Sequence, residues 1–330
     1  MTATAPTAFP STPSHGERDH VKPRFAIIAA SVFVGAGVAA APAASSTPAT
    51  PDIPEVRAAA SSTLPCSIEM SIIGAGRYRE IRVSDTTSPR TVTDFGEVPG
   101  GRSVRSLATG HFHADFGFKL RYHLGNTSTS LFSLSARDDE DSKEITVTSM
   151  GRGWGGFRRL VSSGEAVEST SPVSLYGLHD NGSIYRYRVA AGAGGQRVVT
   201  GAGSVAGFSD LKTIALIGVT SSYHALLANT TSGQLVVIKI PTTSTMTATR
   251  TVIRTRTWQG FEHLAVADCS EGSTNVLVGI DHDTSSAYAY SMAFLKNTTS
   301  SILGHGQVAG SWPWLVFTSL HEEGNPPQGA

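Results

Sequence analysis

The chain has 330 residues, and its 26 Lys and Arg residues balance its 26 Asp and Glu residues, so the formal net charge is zero. A neutral chain generates no field that attracts phosphate backbones, which argues against nucleic acid as the main partner. Charged residues make up only 16% of the chain and 34 residues are glycine, a composition typical of strands and turns. The 40% share of hydrophobic residues supplies a core and excludes global disorder.

The N-terminal part of the chain has the composition of an export signal followed by a tether. Residues 1–44 contain a basic flank, an uncharged apolar run over 25–38 and an alanine-rich stretch, the three parts of a secretory signal. We place the cleavage near Ala43 or Ala44. An uncleaved membrane anchor is the alternative, because the apolar run approaches the required length of about twenty residues only when the alanines are included. Residues 45–65 are rich in Ala, Ser, Thr and Pro and are interpreted as a flexible linker, so we expect a secreted, extracellular protein.

A phrase of the type Gly-Trp-x-x-Phe recurs through the remainder of the chain. Aligned on its final aromatic residue, the three clearest copies place Phe157, Phe208 and Phe261 at separations of 51 and 53 residues. Fainter copies occur at 101–107 and 311–317. Self-similarity at a fixed period of this length indicates a repeat architecture.

A hairpin pattern recurs between the copies of this phrase. Residues Leu175–Val189 contain two alternating segments joined by Asn-Gly, which is the strongest short-range hairpin signal. Related hairpins cover 225–240 and 276–290. A further predicted strand ends each unit, at 144–150, 196–202, 250–256 and 301–308. Four antiparallel strands per unit at this period predict a β-propeller.

The two ends of the array complement each other. The last copy contains only its first strand, while 67–83 and 90–98 supply the hairpin and the outer strand that it lacks. We therefore predict an all-β fold over 66–330: a five-bladed propeller of four-stranded antiparallel blades, with the ring closed by a composite blade from both termini. The four complete blades are expected at roughly 101–151, 152–203, 204–256 and 257–310.

The two cysteines, Cys66 and Cys269, would lie on neighbouring blades of that ring. In an oxidising compartment they most simply form a disulfide with each other, which would pin the ring. The alternative is two buried free thiols. Two cysteines are too few for a four-thiolate zinc site.

The repeat resembles that of a known lectin family. The phrase Gly-Trp-x-x-Phe-Arg-x-Leu at 153–160, followed by Leu-Tyr-x-Leu-His-Asp and a second Tyr within 175–185, resembles the tachylectin repeat, and the resemblance extends over 66–330. It implies a five-bladed lectin that binds N-acetylated amino sugars, such as N-acetylglucosamine or N-acetylgalactosamine, without catalysis. The third repeat aligns Val205 with the tryptophan and the first repeat has no tryptophan. The resemblance therefore implies two or three working sites, or none, rather than five.

A sugar site needs an aromatic face for the pyranose C–H surface and short polar side chains for the hydroxyl groups. The residues that supply these types, and that we predict as ligand contacts, are Trp154, His179, Asp180, Asn181, Trp258, Asp281, Asp283 and Trp312. The alternative is that the tryptophans pack between blades and the polar residues only form turns. No cofactor or metal site is predicted: His111, His113 and Asp115 lack the further histidine of a metallohydrolase signature and are interpreted as a solvated segment.

We therefore expect a non-catalytic, carbohydrate-binding propeller that is secreted as a monomer, with glycans as partners. It is expected to bind no nucleic acid, and to contact no membrane beyond an uncleaved N-terminal anchor. Two other functions stay open: a protein-binding or structural propeller that has lost its sugar sites, and an extracellular hydrolase or lyase with an active site at the central channel. No pair of carboxylates or metal ligands recurs at one position of the predicted inner strands, which disfavours the hydrolase or lyase.

Overall fold

The structure is a computed structural model that describes residues 62–88, 90–101, 103–113, 118–139, 142–164, 173–193, 196–269, 274–293, 301–313 and 317–319. The predicted signal over 1–44 and nearly all of the predicted linker over 45–65 lie outside these ranges. Within them, no helix is long and apolar enough to cross a membrane.

The described strands form four-stranded antiparallel sheets, as the repeat pattern predicts. The first described strands are β1 (Thr63–Gly74), β2 (Arg77–Asp85) and β3 (Thr91–Glu97). The first blade contains β4 (Val104–His113), β5 (Phe118–Gly125), β6 (Ser130–Asp139) and β7 (Ser142–Arg152). The second contains β8 (Phe157–Ser162), β9 (Val173–His179), β10 (Ile184–Ala191) and β11 (Arg197–Val205).

Two further blades and one short strand follow. The third blade contains β12 (Leu211–Val219), β13 (Tyr223–Thr230), β14 (Leu235–Pro241) and β15 (Thr249–Arg254). The fourth contains β16 (His263–Cys269), β17 (Thr274–Asp281), β18 (Ser286–Ala293) and β19 (Ser301–Gln307). The last described strand is β20 (Phe317–Ser319), which pairs antiparallel with β1, so the fifth blade has the strand order β20-β1-β2-β3.

The blades are arranged in a ring. The first strand of each blade contacts the first strand of the next, from β4 to β8, β12, β16 and β20 and back to β4. This arrangement confirms the five-bladed, all-β fold predicted from the repeats.

Apolar side chains fill the gaps between neighbouring blades. Between the third and fourth blades, for example, Leu227 packs with Val266 and Leu277. Both faces of a blade are covered by its neighbours, so the strands near its middle are continuous apolar runs rather than alternating ones. In β13 and β17 every residue after the first is buried, whereas the outermost strand β15 is largely exposed.

The predicted disulfide is present. Cys66 of β1 is bonded to Cys269 at the end of β16, with their Cα atoms 5.5 Å apart. The bond joins the fourth and fifth blades, and the two sulfur-bearing side chains belong to the apolar cluster between them. The alternative of two free thiols is therefore wrong.

Candidate functional site

A repeated backbone hydrogen bond connects each turn between second and third strands with the start of the next blade. The N–H group of Trp154 donates to the carbonyl of Thr129 at 2.7 Å, and that of Trp258 donates to the carbonyl of Gly233 at 3.0 Å. The N–H group of Trp312 makes the same contact with Ser285 at 2.9 Å. The tryptophan of the repeat thus marks a fixed position in the ring.

This repeated hydrogen bond corrects the alignment of the third repeat. The residue there whose N–H group donates to the preceding turn is Phe208, at 2.8 Å from the carbonyl of Gly182. Phe208, and not Val205, therefore occupies the tryptophan position of the third blade. In the first blade that position belongs to Val98, which donates to Gly76 at 2.7 Å. The sequence alignment places Phe208 three positions out of register, because Gly207-Phe208 has the same residues as the Gly-Phe that ends the repeated phrase.

The three predicted tryptophans lie between blades. Trp154, Trp258 and Trp312 are 6%, 2% and 0% exposed, respectively. The ring of Trp154 lies 4.5 Å from that of Tyr187, and the Arg90 guanidinium lies 4.7 Å from the ring centre of Trp312. In this geometry the tryptophans contribute packing, and a direct contact with a ligand stays a prediction for them.

The second and fourth blades share an aromatic cluster at this position. Its members are Trp154, Phe157, Tyr185 and Tyr187 in the second blade, and Trp258, Phe261, Tyr288 and Tyr290 in the fourth. A glycine makes room for each phenylalanine: a Cβ on Gly177 would lie 2.5 Å from Phe157, and one on Gly279 would lie 2.9 Å from Phe261. The local sequence therefore pairs each phenylalanine with a glycine on the adjacent strand.

The β9–β10 turn of the second blade brings three predicted residues together at the surface. His179 is partly exposed, and Asp180 and Asn181 are exposed. The Asn181 side-chain amide donates to the hydroxyl of Tyr185 at 3.0 Å, and its backbone N–H donates to Nδ1 of His179 at 3.1 Å. Tyr185 is itself partly exposed, so one aromatic ring and several short polar groups form a single surface cluster.

Tyr185 was not among the residues predicted to contact a ligand, although the second Tyr of the repeat could have indicated it. The His179 ring packs directly on Gly156, where a Cβ would lie 2.3 Å from Nε2. The Gly-Gly pair of the repeat phrase thus provides space for the histidine. We call His179, Asp180, Asn181 and Tyr185 the second-blade turn site.

The corresponding turn of the fourth blade separates its two predicted aspartates. Asp281 is 3% exposed and its Oδ1 atom accepts a hydrogen bond from the backbone N–H of Thr284 at 3.1 Å, so it shapes the turn. Asp283 is exposed, and Tyr288 is partly exposed at the position of Tyr185. Burial lowers the pKa of His282 between the two aspartates, which favours its neutral form.

The guanidinium group of Arg159 lies where the first strands of the blades begin. Arg159 of β8 donates to the carbonyl of Arg105 at 3.3 Å, to Oγ1 of Thr213 at 3.2 Å and to the carbonyl of Glu262 at 3.0 Å. Its side chain thus connects the segments around β4, β8, β12 and β16. Burial lowers the pKa of Arg159 to about 10, so the group stays cationic at neutral pH.

Among the described residues, no group of three or more His, Cys, Asp or Glu side chains could hold a metal ion. The side chains of His111 and His113 and the whole of Asp115 lie outside the described set, so the interpretation of that segment is not tested.

Comparisons with known proteins show fold similarity only. No family model and no curated protein sequence matches the chain. The fucose-specific lectin from Aleuria aurantia has a similar structure, with 13% identity, a TM-score of 0.43 and coverage of 82% of this chain and 85% of that one. A second structure of an Aleuria aurantia lectin, described as a six-bladed β-propeller, gives 11% identity, a TM-score of 0.36 and coverage of 76% and 99%.

Prolyl oligopeptidase B from Galerina marginata is a further similar structure, with 10% identity and a TM-score of 0.34. The match covers 69% of this chain but only 30% of the oligopeptidase chain. These identities and TM-scores are low, so the similarities support no inference about ligand or activity.

Proposed function

We propose that this protein is a secreted, non-catalytic lectin that binds N-acetylated amino sugars. The sites are the turns between the second and third strands of its second and fourth blades. The observation that carries the proposal is the second-blade turn site. There the partly exposed Tyr185 accepts a hydrogen bond from the Asn181 side chain, and the exposed Asp180 precedes Asn181 in the same turn. An aromatic ring next to a small number of polar groups is the combination that a pyranose requires.

The chemistry of the second-blade turn site suits an acetamido group. The Asp180 carboxylate can accept a hydrogen bond from the acetamido N–H. The Asn181 amide has two N–H donors and uses one on Tyr185, so the other is free to donate to the acetamido carbonyl. The resemblance of 153–189 to the tachylectin repeat supports the same sugar class.

We assign no site to the third blade because it lacks the aromatic residue of the second and fourth blades. Where the second blade has Tyr185 and the fourth has Tyr288, the register of the strands places Val236 in the third. Val236 is fully buried, and the exposed turn residues there are Thr231 and Ser232. Two sites on one ring would raise the avidity for a glycan surface through multivalency.

A glycan-array screen of the folded full-length chain tests the proposal. We expect selective binding to glycans that present N-acetylglucosamine or N-acetylgalactosamine, weakened by Asn181→Ala because that change removes the amide donor. The matched control is Ser232→Ala, which alters the corresponding exposed turn of the third blade and should leave binding unchanged. No binding to any glycan would refute the proposal and direct the search to protein partners.

A further inference from the structure

Four cationic side chains lie near the start of the first strands of the blades. Arg158 lies next to Asp180 of the second-blade turn site, and Lys212 and Arg159 both contact Glu262. We call this group, formed by Arg105, Arg158, Arg159 and Lys212, the basic rim. Lys212 is neutralised by Glu262, whose Oε1 atom lies 2.5 Å from its Nζ atom. The other three members have no comparably close carboxylate among the residues that the structure describes.

Arg105 and Arg159 are held by neutral acceptors. Arg105 donates to backbone carbonyls, including those of Phe157 at 2.7 Å and Trp154 at 2.5 Å. Arg159 donates to backbone carbonyls and to the hydroxyl of Thr213. Carbonyl groups satisfy the N–H donors of a guanidinium but do not cancel its charge. Asp180 acts on Arg105 and Glu262 acts on Arg159, but two carboxylates offset only part of the charge of four cations, so the potential at the rim is positive.

Arg158 has an unused hydrogen-bonding edge. Its Nε and Nη2 atoms, the edge of a guanidinium that binds a carboxylate with two parallel hydrogen bonds, are buried and have no hydrogen-bond partner among the described residues. A ligand can therefore reach this edge only if a neighbouring side chain moves away. The Oδ1 atom of Asp180 is 3.7 Å from Nε, which is beyond hydrogen-bonding distance. The side chain of Asp180 is 67% exposed, so little packing opposes its displacement by another carboxylate.

We propose that the basic rim binds the carboxylate of an acidic sugar, a uronic acid linked to the N-acetylated sugar in the second-blade turn site. The carboxylate would approach the Nε and Nη2 edge of Arg158 once the Asp180 side chain has turned from Arg158 to the acetamido N–H of the neighbouring sugar. It would then lie within the positive potential of Arg105 and Arg159. This inference rests on the proposed function, because it assigns the neighbour of the sugar already placed at that turn.

Two disaccharides that differ in one group test the inference by calorimetry on the full chain. One joins glucuronic acid to N-acetylglucosamine, and the other joins glucose to N-acetylglucosamine, so that only the carboxylate is exchanged for a neutral hydroxymethyl group. We expect the acidic disaccharide to bind about tenfold more tightly at low salt, the gain of one charge-assisted contact. The ratio should fall towards one at high salt because exposed charges are screened.

Two variants should change the affinity ratio in opposite directions, which distinguishes a lost contact from a loss of folding. Arg158→Gln should reduce the affinity ratio to about one, because the bidentate edge is lost. Asp180→Asn should increase the ratio, because the competing charge is removed while the amide oxygen can still accept from the acetamido N–H of both disaccharides. Arg188→Gln is the matched control, because this exposed arginine lies in β10, four residues after Ile184 and away from the turn. Its loss should leave the affinity ratio of the two disaccharides unchanged.

The outcomes separate the two proposals. Equal affinities for the two disaccharides would overturn the basic rim as a carboxylate site and leave the lectin proposal standing. Binding of the acidic disaccharide alone would support the carboxylate site and count against neutral N-acetylated sugars as sufficient ligands. Binding of neither would overturn both.

Discussion

At the scale of single residues, we expect one buried polar contact between two blades to make the stability sensitive to acid. His224 of the third blade is 7% exposed, and its Nδ1 atom lies 2.8 Å from the hydroxyl of Tyr176 in the second blade. Burial, together with the nearby charge of Arg186, lowers the pKa of His224 to about 4 from an ordinary value of 6.5. The histidine is therefore neutral in the folded protein over a range where the unfolded chain binds a proton.

The first prediction follows from the sign of this shift. The folded-state pKa is lower than the unfolded one, so stability is full above pH 6.5 and falls as the pH drops towards 4. His224 alone should remove about 2 to 3 kcal/mol of unfolding free energy between pH 7.5 and 4.5. Urea titrations at both pH values should show a smaller loss for His224→Gln than for the wild type. The same loss in both proteins would contradict this role of His224.

At the scale of strands and turns, the sequence predicts most elements but not their side-chain register. The Asn-Gly hairpin predicted over 175–189 is confirmed by β9 and β10, because alternation and turn chemistry are local signals. The assignment of Val205 to the tryptophan position of the third blade was wrong. A hydrogen bond to the preceding blade defines that position, and the local Gly-Phe phrase does not. The contact between Asn181 and Tyr185 was also not predicted, because it depends on the conformation that brings the β9–β10 turn next to β10.

A pair of alanine substitutions tests the corrected register. Phe208 is 5% exposed and packs in the cluster between the second and third blades, so Phe208→Ala should cost about 3 to 5 kcal/mol of stability. Val205 is only partly buried, so Val205→Ala should cost much less. Denaturant unfolding of the two variants measures both costs. A larger loss for Val205→Ala would restore the register inferred from the sequence alone.

At the scale of the whole molecule, the ring depends on contacts between residues far apart in sequence. The disulfide connects Cys66 and Cys269 across 203 residues and joins the fourth and fifth blades. Its position was predictable because the order of the repeats makes these blades neighbours. The charges of the basic rim were not predictable as a group, because Arg105, Arg158 and Lys212 come from three different blades and meet only in the ring.

Removal of the disulfide should destabilise the ring as a whole. For a loop of this length the loss of chain entropy in the unfolded state corresponds to about 5 kcal/mol of stabilisation. The double variant Cys66→Ser, Cys269→Ser should therefore unfold at a clearly lower denaturant concentration than the oxidised wild type. The reduced wild type is the control and should behave like the variant. Equal midpoints for all three proteins would contradict a stabilising role for the bond.

If the propeller binds N-acetylated amino sugars at two of its five blades, the stoichiometry of binding should show it. Isothermal titration calorimetry of the folded full-length chain with N-acetylglucosamine should give about two sites per chain. Tyr185→Ala should reduce that value to about one, because the fourth-blade turn keeps its own tyrosine, Tyr288. A stoichiometry of five, or no heat of binding from a chain shown to be folded, would contradict the account.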